Sequence, residues 1–236
     1  FHRDKFNNIT ATIGGPVVKD RLWFWGSASR NKIEQRTITG DPDDTTLTNF
    51  AGKLSAQVLE NNEANVFFNH NNKGKQGRDA APDRPRNTTF NQETPTPLFK
   101  VEDQHIFGSD TLLQAKYAHV GGYFSLSPQG GSLETGNPNA PMAAYDDLTG
   151  NWDDKNFYTY YSESSQDQFH LDGSHFRSIG SSDHDFKFGF SYRYTPVSSQ
   201  TYWDGGGYVN YNLLESGTSS DFDTNVVVYA DETFSF

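Results

Sequence analysis

The chain has no cysteine, a single methionine, and no run of eighteen apolar residues anywhere in its 236 positions. Without cysteine, disulfide scaffolds, zinc-ribbon sites and thiol nucleophiles drop out. Without a long apolar run, a transmembrane helix is excluded. Cations are scarce too: 19 Lys and Arg stand against 30 Asp and Glu, a net charge of -11. Phosphate binding needs clustered Lys and Arg, so no nucleic-acid partner is expected. No signal peptide is visible, and the chain starts at Phe1 rather than Met, which reads as a mature or partial piece.

Aromatic residues are plentiful: 19 Phe, 12 Tyr and 4 Trp make 15% of the chain. The mean hydropathy of -0.77 nonetheless looks wrong for a membrane protein. A spanning β-strand resolves the conflict, since it needs apolar residues only at alternate positions, over about 9–11 residues per crossing. A barrel is therefore polar on average. Period-two runs occur near residues 6–18, 21–32, 49–59, 63–73, 97–107, 111–124, 166–178, 184–196 and 224–236. Short joins alternate with long ones. The short joins are Val18 to Arg21, Glu60-Asn61-Asn62-Glu63, Gly108-Ser109-Asp110 and Ile179 to Asp183; the long ones, near 33–48, 74–96, 125–165 and 197–223, are rich in Gly, Pro, Asn, Asp and Thr. Outer-membrane barrels have short periplasmic turns and long extracellular loops, so the four short turns are placed in the periplasm.

The clearest alternation lies at 184–194. Phe186, Phe188, Phe190, Tyr192 and Tyr194 share one face, and Lys187, Gly189, Ser191 and Arg193 the other. Leu54, Ala56 and Val58 oppose Lys53, Ser55 and Gln57 in the same manner, and Leu113, Ala115 and Tyr117 oppose Gln114 and Lys116. The aromatic face is expected to point outward to lipid and the polar face to line a wet lumen.

One segment is more specific than the rest. Thr12-Ile13-Gly14-Gly15-Pro16-Val17-Val18-Lys19-Asp20-Arg21-Leu22-Trp23-Phe24-Trp25-Gly26-Ser27 places a charged reversal between two strand-forming runs. It resembles the early barrel hairpin of TonB-dependent receptors, in particular the Oar-like branch. Val226 to Phe234 looks like a later strand of such receptors, and Pro95 to Lys100 resembles them more loosely. The resemblance implies an all-β antiparallel transmembrane barrel in the bacterial outer membrane, with residues 1–236 forming one region of a larger barrel wall. It implies uptake of a scarce nutrient, with outer-membrane lipid, a small ligand and a TonB-type energy-coupling protein as partners. The departures are a missing plug domain, no partner-contacting box, and roughly nine strands on the pattern count against about 22 for a whole receptor. The plug and the box would lie outside this chain. Phe234-Ser235-Phe236 also fits the aromatic end of a small complete barrel, but an odd strand count fits closure poorly. A passive porin or small structural barrel, and a secreted all-β carbohydrate-binding domain, are the alternatives.

Chemistry-bearing clusters are sparse. His170 and His175 lie five apart on a predicted strand and so face opposite ways; His70, His105 and His119 fall on separate strands, and His184 in a turn. Acidic groups at Asp41, Asp43 and Asp44, at Asp146 and Asp147, at Asp153 and Asp154, and at Asp221 and Asp223 lack the regular calcium-loop spacing. Gly205-Gly206-Gly207 lacks the Lys and helix of a phosphate loop, and there is no Gly-x-Ser-x-Gly elbow. No enzyme activity, metal or cofactor is expected. Aromatics placed in long polar segments remain as ligand-binding candidates: Trp152, Asp153, Asp154 and Tyr158 in one, and Tyr202, Trp203 and Asp204 in another. The competing reading is a headgroup girdle or loop packing.

Overall fold

The computed structural model describes residues 2–129, 142–146, 150–153, 158–213, 222–228 and 232–235. Strands dominate it. Four long hairpin strands come first: β1 (His2–Val18), β2 (Leu22–Arg36), β3 (Asp44–Leu59) and β4 (Asn62–Arg78). β5 (Phe90–Phe107), β6 (Thr111–Val120) and β7 (Tyr123–Pro128) follow, then the short β8 (Ala143–Asp146) and β9 (Asn151–Asp153). β10 (Tyr158–Ser164), β11 (Gln166–Ile179), β12 (Ser182–Tyr194) and β13 (Val197–Trp203) return to the main sheet; β14 (Gly207–Leu213), β15 (Phe222–Val228) and β16 (Glu232–Ser235) complete the described chain. Among the described residues the only helical pieces are 3-10 turns at Arg86–Thr88 and Asp204–Gly206.

The four expected short turns all close antiparallel hairpins. Arg21 N donates to Val18 O at 3.1 Å, and Gly108 and Gly180 turn through the left-handed region at φ 64°, where glycine carries no steric penalty. Three pairs of strands are single strands in all but a local break. β6 and β7 meet β5 in one unbroken register, from Phe107↔Thr111 up to Phe90↔Pro128. β11 and β10 do the same against β6 and β7, and β12 and β13 against β11 and β10. The breaks fall side by side. Pro97, Gly121, Ser165 and Pro196 lie on one transverse row; Gly121 N donates to Pro97 O at 2.9 Å and Ser165 N to Pro196 O at 3.3 Å. Proline has no N–H to return, which is why regular pairing lapses there.

The register sorts the side chains. One row runs Gly15, Phe24, Leu54, Val66, Val101, Tyr117, Phe169 and Tyr192 across eight strands, without a charge. A row one residue away runs Gly14, Trp25, Lys53, Phe67, Lys100, Ala118, Gln168 and Arg193. One sheet face is thus mainly apolar, with Asp103, His105, His119, Asp167 and His175 as polar exceptions, and the other is mixed and carries the lysines and Arg193; the expected pairs at Leu54/Lys53, Tyr117/Lys116 and Phe188/Lys187 separate onto opposite faces. Along β12 the outward series Phe186 to Tyr194 spans eight residue steps. At about 3.4 Å per residue and a tilt of about 40° that is roughly 21 Å of height, close to the apolar band of about 25 Å in outer-membrane barrels. Among the described residues hydrophobic burial is correspondingly slight: the buried apolar ones are Ala80, Phe90, Leu126 and Ala143, while Phe188 and Phe190 stay exposed.

Two sequence expectations need correction. The long joins are not mainly loops. Only 37–43 and 79–89 lie between β2 and β3 and between β4 and β5, and 125–165 and 197–223 contain seven strands or parts of strands between them. Above the lipid band both sheet faces meet water, so period-two alternation vanishes while backbone pairing continues. Val226 to Phe234 is likewise not one strand. β15 pairs with β14 in a separate sheet ordered β15-β14-β8-β9, whereas β16 pairs with β13 in the main sheet.

Candidate functional site

In a barrel of this kind the apolar face meets lipid and the polar face lines the lumen, so the lumenal rows are the first candidate site. Near the short-turn end the lumenal face is charged and aromatic. Trp23 and Trp25 sit beside Ser55 and Lys53. Lys100 Nζ lies 2.6 Å from Glu102 Oε2, and Gln114 Nε2 donates to Glu102 Oε1 at 2.7 Å. A recess of about 570 Å³ opens over Lys53, Glu63, Asn65, Phe67, Lys100 and Glu102.

Higher on the same face the chemistry changes to neutral amides and hydroxyls. Thr10, Ser29, Asn49, Asn71 and Thr96 form one cross-strand row, flanked by Asn8 and Asn31 above and Ser27 and Asn69 below. Asn49 Nδ2 donates to Asn69 Oδ1 at 2.6 Å and to Asn71 Oδ1 at 2.5 Å. A recess of about 330 Å³ overlies this row, and Lys73 is the one charged side chain among the described residues lining it. Asn31, which lines that recess, has its Oδ1 buried without a hydrogen-bond donor. Asparagine is uncommon in strands. Asparagines dispersed along four strands carry no local motif in the sequence; only the register assembles them.

The aromatic candidates cluster at the far end, beyond the row of strand breaks. Tyr158 pairs with Trp203 and Thr159 with Tyr202 across β10 and β13, and Asp204 opens the 3-10 turn that follows. Backbone pairing therefore unites the start of β10 with the end of β13, more than forty residues apart in sequence. Tyr202 Oη donates to Gln200 Oε1 at 2.6 Å. Trp152 stands apart in β9, its ring 5.0 Å from Tyr145, with the Arg84 guanidinium 5.6 Å from its centre. Asp153 pairs with Ala144, which ties β9 to β8, and β8 runs parallel to β14. Asp154 lies outside the described residues. Trp152 thus serves to pack the small sheet, and its ring faces are partly taken by Tyr145 and Arg84.

Between these zones lies a polar ledge. Lys75 Nζ sits 2.9 Å from Asp43 Oδ1 at the edge of a cleft of about 570 Å³ that also takes in Lys32, Asp44 and Glu93. The contact is off the line of an ordinary hydrogen bond, so its attraction is coulombic. The Tyr123 and Tyr161 rings meet at a tilt of 33° with centroids 5.2 Å apart. Partial burial, then the nearby Glu93, raises the phenol pKa of Tyr123; partial burial, then Glu163, does so for Tyr161.

The histidines and acids do not converge. His170 sits on the polar face opposite Lys116 and Ser191, and His175 on the apolar face, where its Nδ1 is 2.8 Å from Thr111 Oγ1. His184 is in β12 opposite Arg177 rather than in a turn. His119 Nδ1 lies 2.8 Å from Asp167 Oδ1, which also accepts from Tyr117 Oη at 2.6 Å. No group of three His, Cys, Asp or Glu able to hold a metal occurs among the described residues. Asp41 accepts from Thr39 Oγ1 and Asp43 is tied to Lys75; Asp147 and Asp221 lie outside the described residues.

No family model matches the chain, and no curated protein matches it. Among solved structures it is similar to the outer membrane transporter YddB from Escherichia coli, with a TM-score of 0.60 and 9% identity. That likeness covers 98% of this chain and 30% of the transporter, so the chain spans under a third of that protein's length. With the two-faced register and short-turn hairpins, it establishes an antiparallel outer-membrane-type β-barrel fold, present here as part of a barrel wall.

Proposed function

We propose that this chain forms part of the wall of a bacterial outer-membrane transporter that takes up a scarce nutrient by TonB-dependent coupling. The observation that supports it is the register. One sheet face gathers the aromatic and aliphatic side chains over a height that suits a bilayer, broken by Asp103, His105 and the His119–Asp167 pair, and the other gathers the lysines, amides and hydroxyls that a solute pathway requires. The early hairpin at 12–27 favours the energy-coupled class over a passive porin, and the structural neighbour is itself an outer membrane transporter. In this reading the lumenal rows and the Tyr202–Asp204 rim guide the solute, while coupling acts through regions beyond this chain. No bond is made or broken by the protein.

The test is energy-dependent uptake in cells carrying the full gene. Outer-membrane fractionation should recover the protein, and a protonophore should abolish uptake. Uptake that persists without the proton gradient returns the protein to the porin class, and a water-soluble product found in the periplasm or medium refutes the membrane reading.

A further inference from the structure

We infer that the neutral lumenal row is a binding track for an uncharged oligosaccharide. The inference rests on the transporter reading and names its substrate class. Thr10, Ser29, Asn49, Asn71 and Thr96 lie side by side on five adjacent strands, each with a side chain that both donates and accepts hydrogen bonds. Strands repeat about every 4.8 Å, so the row places a polar group at each step of a ladder roughly 19 Å long. That repeat is comparable to the length of one sugar ring along a glycan, and hydroxyl groups pair with carboxamides in either direction.

Three further observations select the ligand. The overlying recess carries Lys73 as its single charged described residue, so a polyanion or polycation has little to meet there. Asn31 Oδ1 is buried in that recess with no donor, which suits an incoming hydroxyl. On the same strand and face, Trp25 stands four residues, about 14 Å, below Ser29 and is 40% exposed, a flat surface on which a ring of a glycan extending from the row toward the short-turn end can stack. Ferric chelates and nucleotides carry charge that this surface does not answer. A peptide strand would seek an unpaired sheet edge, whereas Ser29, Asn49, Asn71 and Thr96 lie on strands paired on both sides.

The experiment uses the full-length receptor in detergent micelles, with tryptophan fluorescence and calorimetry reporting binding. The probes are neutral linear hexasaccharides of glucose, xylose and mannose, an oligogalacturonate of equal length, and a neutral hexapeptide. At least one neutral hexasaccharide should bind, with an affinity unchanged by added salt. Asn49→Leu and Trp25→Ala should each weaken it about tenfold, while Trp25→Phe should keep it within about threefold. Heat-modifiable mobility checks that each variant is folded; if Asn49→Leu fails that check, Asn71→Ser replaces it with the same expectation. Binding of only the oligogalacturonate or the peptide, no binding by any neutral probe, or full affinity in every folded variant overturns the inference. A receptor that shows proton-dependent uptake of another solute yet ignores these glycans refutes the glycan track alone. A receptor absent from the outer membrane refutes the transporter reading.

Discussion

Arginine placed along the outward face of β12 should reveal the depth of the bilayer. Phe186, Phe188, Phe190, Tyr192 and Tyr194 point the same way, and Phe190 is the middle of the five. It lies four residues from either end, about 14 Å along the strand and about 10 Å in depth after tilt, which puts it near the midplane. Its side chain is 59% exposed, so no protein group covers it; Leu171 stands opposite and the Phe169 ring is 6.4 Å away. An arginine there has lipid for its surroundings. The cost at the midplane is about 2–4 kcal/mol and falls to about 0–1 near the interfaces. That corresponds to a shift in the folding equilibrium of roughly thirtyfold to several hundredfold at the centre. Phe190→Arg should therefore be the worst of the five variants, with Phe186→Arg and Tyr194→Arg the mildest. Ser191→Arg and Lys187→Gln on the lumenal face should be near neutral. Denaturant titration of the full-length protein folded into lipid vesicles measures all seven. A flat profile across the five outward positions, or a cost at Ser191 equal to that at Phe190, would refute the face assignment.

Further expectations concern the region above the band. Asp43 is 5% exposed, and Lys75→Met would leave its carboxylate buried without a counter-charge; a loss of about 3 kcal/mol is expected, and Asp43→Asn added to it should restore most of that stability in the same titration. Tyr123 and Tyr161 titrate above their ordinary value near pH 10.0. The folded state thus holds their protons more tightly than the unfolded one, so their contribution is intact below pH 10 and is lost as pH rises through the folded-state values; phenolate absorbance that rises at the ordinary pH in the folded protein contradicts this. Gly122 adopts φ +146° and a methyl there would overlap Pro95 O, so Gly122→Ala should cost about 1–3 kcal/mol, whereas Gly74→Ala, in open space, should be far milder. Spin-label pairs above the Pro97–Pro196 row, at Gln92 and Gln200, should show a broader distance distribution than pairs below it at Val101 and Tyr192; equal widths would mean the row is stiff.

Legibility in the sequence followed the solvent. Where β2 to β6, β11 and β12 face lipid on one side and water on the other, alternation marks each strand, and all four short turns were readable from Asp20, Asn61, Gly108 and Gly180 with their neighbours. Where both faces are wet, as at 33–36, 74–78 and 90–96, hydrogen-bonded pairing continues without any apolar signature, and the sequence there carries loop composition and no strand signal. The small sheet of β8, β9, β14 and β15 was invisible for a second reason: a parallel contact between β8 and β14 joins segments more than sixty residues apart. Among the site candidates, Trp152 was legible as an aromatic in a polar segment but not as the partner of Tyr145 and Arg84. The asparagine row needed the register of five strands before it existed as a group at all.

The alignment of Pro97, Gly121, Ser165 and Pro196 acts on the sheet as a scored line acts on card. Pairing is in register on both sides of it, and β5 runs through it unbroken, so the interruptions in the three neighbouring strands let that part of the sheet bend without any strand slipping past its neighbour. Bending at that line would leave the strands below it in register with one another.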